Sequence, residues 1–213
     1  MIGFVYKDFL LQRKQLTYVL VLCVVYSVLS LTGTLSPSIL SGMVMVLGMV
    51  LPMSAFSYDD LARWDKFAAS TPAGRRGIVA GRYLFTLLLL LLSAALVAVL
   101  LLLFRLLGLV EEPLAELLLP VPICAAMGLV VNAIILPLLY QFGVEKARLV
   151  SMILFAAIFG GIVGLGFLAK SVQLPALSDG GVLLAALVLI LVAAALFALS
   201  HRVSQGIFAR KEL

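Results

Sequence analysis

Apolar residues fall along this chain in six long runs, separated by short polar segments. A helix needs about 20 predominantly apolar residues to cross a bilayer. The runs Leu16–Thr32, Ile39–Ser57 and Tyr83–Leu107 meet that need in the first half. Leu117–Gln141, Leu149–Ala169 and Gly181–Ser200 meet it in the second. The pattern predicts an all-α polytopic membrane protein, a single transmembrane domain over residues 1–213 with six transmembrane helices. Pro52, Pro120, Pro122 and Pro137 lie in or at the edges of these runs. Bundled membrane helices tolerate them because neighbours re-satisfy the carbonyls that proline frees.

Two polar segments carry patterns of their own. In the leader, residues 1–15, Ile2, Val5, Phe9 and Leu16 share one side of a helical wheel while Lys7 and Lys14 point elsewhere. That suits an interfacial helix with lysines on anionic headgroups. Its acid, its aromatics and the length of the following run argue against a cleaved signal peptide. Between the second and third runs, residues 58–72 predict a short helix outside the membrane. Ser57 and Asp60 have capping-box spacing, and Asp59 and Asp60 suit the positive end of a helix dipole. Asp59 and Arg63 form an i,i+4 ion pair, and Leu61, Trp64 and Ala68 make a narrow apolar stripe. Thr71-Pro72 stops this helix and starts the next. Such a helix reads as a docking element, the alternative being that it packs back onto its own membrane domain, and Trp64 at its centre suits either. Arg75, Arg76 and Arg82 follow, where headgroup phosphates suit them. The second polar loop, Phe142-Gly143-Val144-Glu145-Lys146-Ala147-Arg148, is short, with a glycine able to make the turn.

Composition removes the soluble alternatives. The chain is 64% hydrophobic with a mean hydropathy of +1.25 and only 12% charged residues. Soluble domains run at roughly 45–50% apolar and about 25% charged. A net charge of +5 would suggest nucleic acid in a soluble chain. Here the basic residues lie between apolar runs and mark a membrane orientation instead, so no nucleic-acid partner is expected. With both termini in the cytoplasm, the inside segments hold all 15 Lys and Arg residues except Arg105 and Lys170. Glu111, Glu112, Glu116 and Asp179 fall outside, as the positive-inside rule requires. Cys23 and Cys124 lie in apolar runs, expected near opposite membrane faces and unpaired.

Little chemistry remains within the runs. Asn132 suits an interhelical hydrogen bond, and Gly160 and Gly164 form a GxxxG that permits close helix approach. There is no Walker A motif, no metal-ligand cluster around the single His201 and no catalytic pair. There is also no intramembrane chain of acids or bases for proton coupling. The chain is expected to be no enzyme and to bind no cofactor itself, so any work it does must be supplied by another subunit.

Several blocks together resemble the membrane-spanning subunits of type-2 ABC transporters, most of all compact bacterial permeases that pair with a separate ATPase. They are Phe56-Ser57-Tyr58-Asp59-Asp60, Arg63-Trp64-Asp65-Lys66-Phe67, Thr71-Pro72 with Arg75, and Ile78-Val79 leading to Arg82-Tyr83-Leu84. Later come Pro137-Leu138, Tyr140-Gln141-Phe142-Gly143 and Glu145-Lys146-Ala147-Arg148. Family members often have lysine where Gln141 and Arg82 stand. The resemblance implies that Tyr58 to about Ala69 is a coupling helix seated in a cleft of an ABC ATPase, which would hold the ATP and Mg. It implies that the leader is an elbow helix and that two permease chains work as a homo- or heterodimer in the bacterial cytoplasmic membrane. The expected ATPase contacts are Tyr58, Asp59, Asp60, Arg63, Trp64, Asp65, Lys66, Phe67, Pro72 and Arg75, with Phe142, Gly143, Glu145, Lys146 and Arg148 from the later block. The expected function is export of an amphipathic or hydrophobic substrate such as a peptide, toxin, antibiotic or lipid. The alternative is a stand-alone secondary transporter or membrane scaffold. Secondary transporters usually carry inverted repeats and interrupted helices, and no internal repeat is visible here.

Overall fold

Long apolar sequence with few breakers has one good way to satisfy its backbone away from water, which is to become helix. The computed structural model of the chain describes residues 2–32, 36–64, 67, 74–172 and 179–210, leaving aside the side chains of 2, 31, 159, 162–163, 165–172 and 179. Among these residues every regular element is an α-helix. In chain order they are α1 (Ile2–Leu11), α2 (Arg13–Leu31), α3 (Ile39–Ala62), α4 (Gly74–Leu106), α5 (Leu114–Leu118), α6 (Pro120–Phe142), α7 (Val144–Val172) and α8 (Asp179–Arg210). Five stretches are long and apolar enough to cross a membrane, in α2, α3, α4, α5–α6 and α8. The remaining expected span, Leu149–Ala169, falls within the 29-residue α7, where many side chains lie outside the description.

The centre of the bundle is α3, α4, α6 and α8, with α6 packed along both α3 and α8. Its core has three parts. One, at the end where α3 stops and α4 begins, gathers Phe56, Val79, Tyr83, Ile135, Tyr140, Ala147 and Phe208. A second, toward the far end, gathers Leu40, Val44, Leu90, Val97, Leu101 and Leu117. Cys23 belongs to this second part, Cys124 packs against both the first and the second, and both thiols are free. The third holds α1 against α3 and α4 through Val5, Leu51, Ala55, Phe85 and Leu89.

Two features fix how α3, α4 and α6 meet. Pro52 lies inside α3 and lacks the N–H that would bond the carbonyl four residues back, at Gly48. Asn132 of α6 supplies the missing donor, its Nδ2 lying 2.8 Å from Gly48 O and 2.8 Å from Gly128 O on its own helix. Gly48 and Gly128 also form a notch that takes the buried end of Leu90. A Cβ at Gly48 would overlap Leu90 Cδ2, and one at Gly128 would lie 2.8 Å from it.

The leader departs from expectation in two ways. It is not one helix through residue 15, because α1 stops at Leu11 and α2 starts at Arg13. The joint is held by buried Gln12, whose Nε2 donates to Leu51 O at 2.5 Å beside the Pro52 kink. Its apolar stripe also turns inward. Val5 is buried, with Phe9 and Leu16 packed around it on α3 and α4, whereas Tyr6 and Leu10 are exposed. Apolar surface on the neighbouring helices competes for the stripe and wins.

The Leu90 notch yields a test. Gly48→Ala should destabilise the chain by about 1–3 kcal/mol through overpacking. Combined with Leu90→Ala, which leaves room for the new methyl, it should cost clearly less than the sum of the two single changes. Thermal unfolding of the four proteins in one detergent measures the cycle.

Candidate functional site

The expected contact residues that the structure describes converge on one end of the bundle. Phe56 and Ala147 share a core cluster there, and Trp64, Val144 and Ile207 pack against it. The two polar blocks, 56–67 and 142–148, are therefore neighbours in space. So are the start of α4 and the end of α8, where Arg75 Nη1 donates to Ala209 O at 2.7 Å.

The first block is not a separate helix beginning at Tyr58. α3 runs on unbroken to Ala62 and breaks at Arg63, which takes a left-handed backbone with φ 49°. Ser57 does not cap a new helix, because its hydroxyl donates back to Met53 O at 3.2 Å. Trp64 and Phe67, beyond the break, are again helical. Asp65, Lys66 and Pro72 lie outside the described residues, as does Ala68 of the apolar stripe. Tyr58 is partly exposed, and Asp60, Arg63 and Phe67 are exposed. Leu61 is the most exposed large apolar side chain of the block at 84%, and Phe67 follows at 62%. Trp64 is only half-exposed, with its ring stacked near Phe67 at 5.1 Å between centroids.

The second block is tighter than a loop. Gly143, at φ 80°, makes the whole turn between α6 and α7. Val144 to Arg148 form the first turns of α7, which places Glu145 at that helix's positive end. Phe142, Glu145, Lys146 and Arg148 are exposed, with Lys146 Nζ 5.9 Å from the Phe142 ring centre. Gly160 and Gly164 of α7 face open space, with nothing within 4 Å of a built Cβ.

A buried charge cluster stands behind the exposed residues. Arg82, expected on headgroup phosphates, is only 4% exposed. Its Nη1 lies 3.0 Å from Asp8 Oδ2, and its Nη2 bonds Asp59 Oδ2. Its guanidinium carbon sits 4.5 Å from the Phe56 ring centre. Lys7 Nζ reaches Asp59 Oδ1 at 2.5 Å and Asp8 Oδ1 at 3.2 Å. Asp59 therefore pairs with α1 and α4, where the sequence spacing offered Arg63. Two cations face two carboxylates, so the cluster is neutral overall. A charge this buried must be paired or it costs several kcal/mol. Lys7, 4.6 Å from the Trp64 ring centre, extends the cluster past the break at Arg63. The signal for this cluster was faint: Asp8 is the one acid of the leader, four residues from Gln12 on the inward face.

Burial raises the Asp8 carboxyl above its ordinary value, against the opposing pull of Arg82 and Lys7. Folding then favours the protonated form of this one group. Its contribution is fully present below the unfolded carboxylate value and is lost as pH rises through the higher folded value. The wild type should accordingly gain stability relative to Asp8→Asn as the pH is lowered through that window, which paired unfolding curves at several pH values would record. Arg82→Ala should cost about 3–5 kcal/mol by leaving two carboxylates on one lysine. Arg82→Lys should recover only part of it, because an ammonium lacks the fork that spans two carboxylates.

Comparison with known proteins places this arrangement. No curated protein and no solved structure matches the chain. The family described as ABC-2 family transporter protein matches residues 3–209, nearly the whole chain and every block named above. A multi-pass chain of apolar helices with this match is a membrane subunit of an ABC transporter: the protein belongs to the ABC-2 transporter family.

Proposed function

We propose that this chain is the permease of an ATP-driven exporter, coupled to a separate ABC ATPase through the segment around the Arg63 break. The observation that supports the reading is the pair of exposed apolar side chains, Leu61 and Phe67, beside a buried charge cluster of Lys7, Asp8, Asp59 and Arg82. Apolar tips on a braced charged end suit insertion into a partner's cleft. Lys146 and Arg148, exposed on the neighbouring block, would meet the same partner. ATP and Mg would sit on the ATPase, and its closure would push on this end of the bundle.

The reading includes six spans with both termini in the bacterial cytoplasm, because the basic residues cluster at the ends bearing Lys7, Arg75 and Lys146. It also includes a second permease chain. The outer faces of α2 and α7 support this, since Tyr18, Val21, Val24 and Val28 of α2 are exposed and Gly160 and Gly164 of α7 are uncovered. The outward residues of α1, Tyr6 and Leu10 beside Arg13 and Lys14, suit the lipid interface. An apolar translocation path between two such chains fits an amphipathic or hydrophobic cargo.

Leu61→Asp and Phe67→Asp should each weaken binding of the ATPase by about tenfold, the equivalent of about 1.4 kcal/mol, while membrane insertion is kept. Asp60→Lys should act in the same direction. Co-purification and titration with the ATPase measure this, and unchanged affinity in all three variants overturns the reading. Stimulation of ATP hydrolysis across a panel of peptides and lipids would identify the cargo class.

A further inference from the structure

We infer that α1 is a positioning element for the segment beyond Arg63, and that Lys7 is the residue through which it acts. This rests on the coupling role proposed above for that segment, and it assigns the leader a task beyond lying at the membrane surface.

The geometry around the break carries the inference. Arg63 holds a left-handed backbone without being glycine, a state that persists only where the surroundings over-determine it. Before the break the chain is fixed twice: Asp59, four residues earlier, bonds Arg82 of α4 and Lys7 of α1. Immediately after the break comes Trp64, and its ring takes the Lys7 ammonium at 4.6 Å. One ammonium therefore contacts both sides of the break. It holds Asp59 at 2.5 Å, Asp8 of its own helix at 3.2 Å and the face of Trp64.

The three contacts differ in kind. The carboxylates lock the nitrogen in place, since Asp8 and Asp59 are 2% and 5% exposed. The aromatic face is a weaker and reversible hold, worth less than the buried ion pairs. The Lys7 side chain keeps 21% exposure, so it sits at the rim of the cluster and is the member that can let go. α1 itself is seated through Val5 against Leu51, Ala55 and Phe85, and its joint with α2 is pinned by Gln12 on Leu51 O. A rigidly seated helix thus carries one cation that sets the angle at which the chain leaves α3. When Lys7 releases Trp64, the α3–α4 contact through Asp59 and Arg82 remains, and Trp64 keeps its packing on Phe67 and the core cluster but loses the cation on its ring.

Trp64 is the single tryptophan of the chain, so its fluorescence reports this contact directly. In the full chain reconstituted in nanodiscs, Lys7→Met should raise the acrylamide quenching constant of Trp64 by about twofold and shift its emission to the red, as the ring loses its cover. Lys7→Arg, which keeps a cation over the ring, should restore the wild-type values. Lys7→Gln, which is one atom shorter and uncharged but still offers an N–H toward Asp59, gives the same reading should the methionine variant fail to fold. Circular dichroism should show equal helix content in each variant. Wild-type quenching in a folded Lys7→Met or Lys7→Gln protein overturns the inference. With the ATPase added, Lys7→Met should weaken association several-fold and Lys7→Arg should not; equal affinity in all three proteins overturns the positioning role. A wild-type chain that binds no ATPase at all would overturn the permease reading instead, and the quenching measurement on the isolated chain separates the two failures.

Discussion

A guanidinium buried in a bundle of apolar helices must be matched by carboxylates, and in this protein that requirement decides which elements meet. Arg82 projects from α4 and is satisfied by Asp8 of α1 and Asp59 of α3. Apolar contact alone would not choose these neighbours, because lipid tails are as apolar as leucine and one greasy face packs about as well on another. The leader could dock Val5 and Phe9 on many surfaces. It can place Lys7 and Asp8 on only one.

The same logic recurs deeper in the bundle. Pro52 frees the Gly48 carbonyl, and Asn132 of α6 answers it at 2.8 Å. Gln12 answers Leu51 O beside the same kink. Tyr83 of α4 bonds both Ser200 and Ser204 of α8, at 2.6 and 2.7 Å. Each polar side chain joins a different pair of helices, so α1, α3, α4, α6 and α8 are registered by a few bonds. The glycine notch at Gly48 and Gly128 then lets Leu90 enter between them, turning register into close packing. α2 and α7 stand outside this set.

What the sequence made legible was whatever is local. The apolar helices were readable from run length, and the family was readable from the charged blocks beside them. The turn at Gly143 was marked by its glycine. The largest departures are non-local. Asp59 and Arg63 have ideal i,i+4 spacing, yet a helix that breaks at Arg63 offers Asp59 no such partner, and two cations from α1 and α4 take it instead. Arg82 follows the positive-inside rule by position and violates its usual reason, since it faces carboxylates rather than headgroups. The stripe of Leu61, Trp64 and Ala68 looked uniform, but Lys7 covers Trp64 and leaves Leu61 bare. Periodicity shows which residues share a face. It does not show which other helix has already claimed that face.

These claims also explain why the break falls at Arg63 rather than at the end of the apolar run. As far as Asp59 the helix is committed, because the carboxylate is shared by two neighbouring elements and moving it would strand a buried charge. Within the next turn Leu61 is bare and the helix ends at Ala62. The backbone reverses hand at Arg63, and Trp64, the first residue beyond it, meets Lys7 at the rim and packs against the core cluster. The near side of the break is thus fixed by buried ion pairs, and Trp64 on the far side by contacts at the rim. A partner that pushed on Leu61 would act on α3 itself, close to the Asp59–Arg82 pair, whereas one that pushed on Phe67 would act beyond the break, beside Trp64. The boundary between those two regimes is set by charge pairing, in a protein whose composition is otherwise almost entirely apolar.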